Sequence, residues 1–165
     1  MPALLPPVAI EDALSAELDA FEREFASAAE VTHCVSCANG TDALYLAMRA
    51  LKVQPGDEVI TTEHGFSMYP ILARMVGAVP VTVPEAERRI DVDAILAGVT
   101  DRTRIVFIAN PANPTGTMLT PEEVQRLVDG LPSSVLLVHD GAYTEFASGD
   151  GGAGLVDRHP NVIMT

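Results

Sequence analysis

Two runs, Ile105-Val106-Phe107-Ile108 and Val135-Leu136-Leu137-Val138, are apolar at every position. A strand with one face in water alternates polar and apolar residues, whereas a strand covered on both faces does not. These runs therefore predict a sheet sandwiched between layers. Further stretches at 33–37, 58–62, 79–83 and 162–165 also read as strands, and helical patterns lie between them. Leu44, Ala47, Met48 and Leu51 fall at i, i+3, i+4 and i+7, as do Val124, Leu127, Val128 and Leu131. Thr120 predicts an N-cap, Pro121 suits the first turn, and Glu123 completes a capping box. Residues 1–32 read as an N-terminal helical segment carrying Leu14, Leu18, Phe21 and Phe25 at helical spacing, and residues 33–165 as the domain that follows. Strand–helix alternation predicts an α/β fold: a mostly parallel sheet with helices on both faces.

The net charge of -13 repels phosphate backbones and anionic lipids, so nucleic-acid and membrane partners are not expected. No apolar run is long enough to cross a bilayer, and the first residues lack the basic start of a secretory signal, which predicts a soluble, cytoplasmic protein. Cys34 and Cys37 are the only cysteines; strand geometry would turn them to opposite faces, and they read as buried, inert thiols rather than metal ligands.

Ligands of open α/β sheets bind outside the carboxyl ends of the strands. Four turns follow predicted strands there: Asn39-Gly40-Thr41-Asp42, His64-Gly65-Phe66, Asn110-Pro111-Ala112-Asn113-Pro114-Thr115-Gly116 and Asp140-Gly141-Ala142-Tyr143. Each has a plain reading: Gly40 as a turn glycine with Thr41 or Asp42 as helix cap, Phe66 and Tyr143 as packing, Asp140 as a cap, Asn113 within a simple turn. Together they describe more. A helix N-terminus suits a phosphate, and an aromatic ring can stack on a flat heterocycle. An Asn amide and a Tyr hydroxyl can share one ring oxygen, and a carboxylate can hold a protonated ring nitrogen. Pyridoxal 5'-phosphate needs this set.

From about residue 57 onward the chain resembles the histidinol-phosphate aminotransferases of fold type I. The likeness lies in Glu63-His64-Gly65-Phe66, Asp91-Val92-Asp93-Ala94-Ile95-Leu96, the Asn-Pro loop at 110–116 and Asp140-Gly141-Ala142-Tyr143-Thr144-Glu145-Phe146. The resemblance implies that Asp140 pairs with the pyridine nitrogen, that Asn113 and Tyr143 contact the phenolic oxygen, and that Phe66 stacks on the ring. Gly141 stands where that family usually has an acidic residue. Residues 10–56, through Phe21-Glu22-Arg23-Glu24-Phe25 and Ser36-Cys37-Ala38-Asn39-Gly40-Thr41-Asp42-Ala43-Leu44, are closer to the nucleotide-sugar aminotransferases, in which the Gly-Thr-Asp turn sits under the cofactor phosphate. Implied partners are a small amino donor and a 2-oxo acid or keto-phosphate acceptor, with a homodimer for full-length members.

In those families a Schiff-base lysine follows the strand after the Asp-x-x-Tyr motif. Here that strand corresponds to Val162-Ile163-Met164-Thr165, so the chain reads as a partial cofactor-binding domain without that lysine. Lys52 is the only lysine and is expected at an exposed helix end. The competing expectation is a non-catalytic or engineered α/β fragment that holds the cofactor without a covalent link.

Overall fold

The computed structural model describes residues 7–28, 30, 32–147 and 153–165. The chain divides into two compact units, Met1–Ala43 and Leu44–Thr165.

In the first unit, helix α1 spans Pro7–Ala28. Its Leu14, Leu18, Phe21 and Phe25 are all more than half exposed. Residues 33–37 form no strand, contrary to expectation. Val35 is 78% exposed, and the N–H and hydroxyl of Ser36 are both taken by the Glu22 carboxylate of α1, at 2.7 and 2.8 Å. A segment without a ladder partner has nowhere to place its backbone groups as a strand. The buried-thiol expectation falls with it: Cys34 is half-buried and Cys37 exposed, both free. No cluster of metal-ligating side chains occurs among the described residues.

Helix α2 (Gly40–Ala50) begins at the end of the first unit and continues into the second. There a five-stranded sheet is built from β1 (Glu58–Thr62), β2 (Val79–Val83), β5 (Thr103–Ala109), β6 (Leu136–Asp140) and β7 (Val162–Met164), in the order β2-β1-β5-β6-β7. Every pairing in it is parallel, as the unbroken apolar runs require. A small antiparallel hairpin, β3 (Glu85–Ala86) with β4 (Arg89–Ile90), lies apart from it.

Each face of the sheet has its own core. Ile60, Val106, Ile108 and Leu137 pack with residues of α4 (Val92–Ala97) and α5 (Pro121–Gly130), and with Leu155 of α6 (Ala153–Arg158). Val59, Ile105, Phe107 and Val138, at the alternate positions, pack with α2 and α3 (Met68–Met75). The expected capping box of α5 is present: the Glu123 N–H donates to the Thr120 hydroxyl, and Glu123 accepts the Thr120 N–H at 2.7 Å. Arg89 from the hairpin binds the same Glu123 carboxylate through two nitrogens. Among the described residues, no helix is long and apolar enough to cross a membrane.

Candidate active site

The chain runs from β1 outward to β2, then returns to the other side of β1 as β5. The strand order therefore reverses between β1 and β5, and a crevice opens at the carboxyl ends of such a pair. Phe66 follows β1, the Asn-Pro loop follows β5, and Asp140 closes β6.

The loop after β5 is tightly held. The buried Asn110 side chain accepts the Leu119 N–H at 2.8 Å, Ala112 donates to the Thr117 carbonyl at 2.9 Å, and Gly116 donates to the Ala112 carbonyl at 2.8 Å. Gly116 has φ 71, a left-handed conformation that explains glycine there. The Asn110–Pro111 and Asn113–Pro114 bonds are cis. The loop presents the Asn113 amide nitrogen 3.5 Å from the Tyr143 hydroxyl. Both residues line a cleft of about 350 Å³, together with Pro111, Met118 and Phe146. That volume is in the range of small-molecule sites.

Asp140 is half-buried, and both carboxylate oxygens have partners. One accepts the Ala142 N–H at 3.0 Å, the other the Tyr69 hydroxyl at 2.5 Å. Tyr69 stacks on Phe107, with ring centroids 4.6 Å apart and planes 9° apart, and meets Phe66 edge-on at 5.5 Å. Phe66 is half-buried and is linked to Asp140 through Tyr69. Tyr69 is the residue that sequence reasoning missed. Nothing in spacing links positions 69 and 140; only the period-two alternation of β6, which turns Asp140 to the same face as Val138, could have hinted at it. Beside Phe66, the His64 ring and backbone N–H both meet the Glu85 carboxylate, at 3.0 and 3.2 Å.

Gly40, Thr41 and Asp42 form the first turn of α2, but neither Thr41 nor Asp42 is its cap. Asn39 is: its carbonyl accepts the Ala43 N–H at 3.1 Å, and its side chain accepts the Asp42 N–H at 3.0 Å. A Cβ on Gly40 would meet nothing within 4 Å. Lys52 is exposed, beyond the C-terminal end of α2. Two residues on, Gln54 donates its N–H to Asp57, which leads into the amino end of β1. Lys52 is thus near the edge of the sheet opposite Asp140.

The donor set at the carboxyl ends of β1, β5 and β6 fits a pyridine ring with a phenolic oxygen: an anchored carboxylate, an amide and a phenol that converge, and an aromatic ring. The aminotransferase class I and II family matches over residues 7–165. A histidinol-phosphate aminotransferase from Ruegeria pomeroyi is 64% identical over 132 residues, which make up 79% of this chain and 37% of that protein. Another from Dinoroseobacter shibae is 56% identical, with the same two shares. Among solved structures, histidinol-phosphate aminotransferase from Sinorhizobium meliloti in complex with pyridoxal-5'-phosphate superposes with a TM-score of 0.67 at 34% identity, covering 74% of this chain and 34% of that one. The chain thus spans little more than a third of the length of the curated relatives it matches. On the match over residues 7–165, the chain belongs to the class I and II aminotransferases.

Proposed function

We propose that this chain is the cofactor-binding portion of a pyridoxal-phosphate-dependent aminotransferase of the histidinol-phosphate type, which moves an amino group between an amino acid and a 2-oxo acid or keto phosphate. Full-length, such a protein is expected to work as a homodimer. The observation that carries the reading is the meeting of Asn113 and Tyr143 at one cleft, with Asp140 held through both oxygens at the same sheet edge.

The roles follow from chemistry. Asp140 accepts the proton-bearing ring nitrogen, a charge-assisted contact. The Asn113 amide and the Tyr143 hydroxyl both donate to the phenolic oxygen and so steady its negative charge. Phe66 covers one face of the ring. Gly40, Thr41 and Asp42 are the phosphate candidates, because the first N–H groups of a helix have no intrahelical acceptor. When bound, pyridoxal phosphate supplies an electron sink for bond breaking at the amino-acid α-carbon. Lys52 has no part in this, so these residues alone hold the cofactor without a covalent link.

Titration of pyridoxal phosphate into the chain, followed by fluorescence or calorimetry, tests the reading. Asp140→Asn keeps the shape and removes the charge, and a hydrogen bond to a charged group is worth about 1.5–3 kcal/mol, so affinity should fall roughly tenfold or more. Thr41→Ala should cost less, since the backbone donors remain. Equal affinity for wild type and Asp140→Asn would reduce Asp140 to an anchor for Ala142 and overturn the assignment.

A further inference from the structure

We propose that Tyr69 is the positioning residue of this site: it fixes the Asp140 carboxylate in the orientation from which it meets the ring nitrogen, and it ties that carboxylate to Phe66. The inference rests on the assignment of Asp140 made above.

Tyr69 is 1% exposed and belongs to the first turn of α3. Its N–H donates to the Phe66 carbonyl at 3.1 Å, so the two aromatic residues share one turn. Phe107, itself 1% exposed in β5, clamps the phenol by stacking. With its ring held on the face and at the edge, the phenol can present its oxygen in only one place. That oxygen is 2.5 Å from Asp140, at the short end of charge-assisted O–H···O⁻ contacts. Burial, reinforced by the bond to Asp140, pushes the phenol's pKa up, so Tyr69 is the donor.

A carboxylate offers about four acceptor positions. Asp140 uses one on each oxygen, for Tyr69 and for Ala142, and the others remain for a ring N–H. The two anchors come from different elements and fix the carboxylate plane. Without the hydroxyl, only the N–H of Ala142, an exposed residue in the turn after β6, still restrains it. A buried phenol needs an acceptor whatever its function. A purely structural Tyr69 would therefore be satisfied by Asp140 without affecting what Asp140 binds.

A double-mutant cycle on the full 165-residue chain separates the two. Tyr69→Phe keeps the ring and its stack, and circular dichroism establishes that it folds. Its affinity for pyridoxal phosphate should fall about three- to tenfold, the size of one hydrogen bond, and in the Asp140→Asn background the same change should cost less than about twofold. With nitrogen-15-labelled cofactor, the pH at which the ring nitrogen loses its proton should drop in Tyr69→Phe and stay put when the change is made on Asp140→Asn. Should Tyr69→Phe not fold, 3-fluorotyrosine placed at position 69 keeps the shape and alters the donor; the ring-nitrogen midpoint must then move in the wild-type background alone. Equal costs in both backgrounds, or an unmoved midpoint, would leave Tyr69 as packing and overturn the proposal. Asp140→Asn without effect on affinity or midpoint would instead remove the assignment of Asp140 on which it rests.

Discussion

His139 precedes Asp140 in β6 and is 1% exposed, between Ile108 of β5 and Met164 of β7. Neither ring nitrogen has a hydrogen-bond partner among the described residues. Burial pushes its pKa below the usual histidine value; the Asn110 backbone and the Asp140 carboxylate pull it back in part. The Asn110 backbone acts on the ring through space without reaching hydrogen-bonding geometry, so the imidazole stays unpaired and neutral. Below about pH 6.5, where an unfolded histidine takes up a proton, the folded state resists doing so. The unfolded state then binds more protons, and stability falls as pH falls, by up to about 1.4 kcal/mol per pH unit until the lowered folded pKa is reached. Glu58 and Glu123 also lose stabilising interactions in acid. Hydrogen bonds from Thr100 and Arg102 hold Glu58 below its usual 4.5, and Arg89 holds Glu123 at about 2. Both therefore act below their unfolded pKa of 4.5, and the window from about 6.5 to 4.5 belongs to His139. His139→Leu, similar in volume, should flatten that window. At pH 7 it should be neutral or stabilising by about 1 kcal/mol, because an apolar side chain replaces unpaired buried polar atoms. Urea unfolding at several pH values measures both effects. Equal pH slopes for wild type and His139→Leu between 6.5 and 5 would show that burial of His139 does not set the pH dependence there.

Lys52→Ala should leave cofactor affinity unchanged, and the 165-residue chain should not turn over an amino donor in a coupled assay, because its one lysine is away from Asp140. Gly141→Ala would bring a Cβ to 2.4 Å from the terminal methyl of Met164, which can swing aside, and to 2.9 Å from Cγ2 of the stiffer β-branched Thr144, so a loss of about 1–3 kcal/mol in thermal melts is expected. Glu123→Ala leaves the Thr120 cap in place but removes the acceptor of the Thr120 N–H and of Arg89, and should cost about 1 kcal/mol by the same measurement.

The parallel sheet was legible because the runs Ile105-Val106-Phe107-Ile108 and Val135-Leu136-Leu137-Val138 are apolar without alternation, and α5 because its cap has the full signature. The segment at 33–37 reads as a short apolar strand, but pairing is a property of neighbours, and its Ser36 is held by Glu22 instead. The hairpin at 85–90 was invisible because its turn uses Glu87 and Arg88 at φ 53 and 63, positions where glycine or asparagine would have signalled it. Helix α3 was obscured by Pro70 in its first turn. The residues that follow strands, Phe66, Asn113, Asp140 and Tyr143, could be found from topology alone. Tyr69 could not, since its tie to Asp140 spans 71 positions and exists only once β6 and α3 have packed.

The most direct test of the account is a crystal structure of this chain with pyridoxal phosphate. The ring nitrogen should lie within about 3.2 Å of Asp140, and the phenolic oxygen within the same reach of Asn113 and Tyr143. A cofactor bound elsewhere, or one whose ring nitrogen faces away from Asp140, would contradict it.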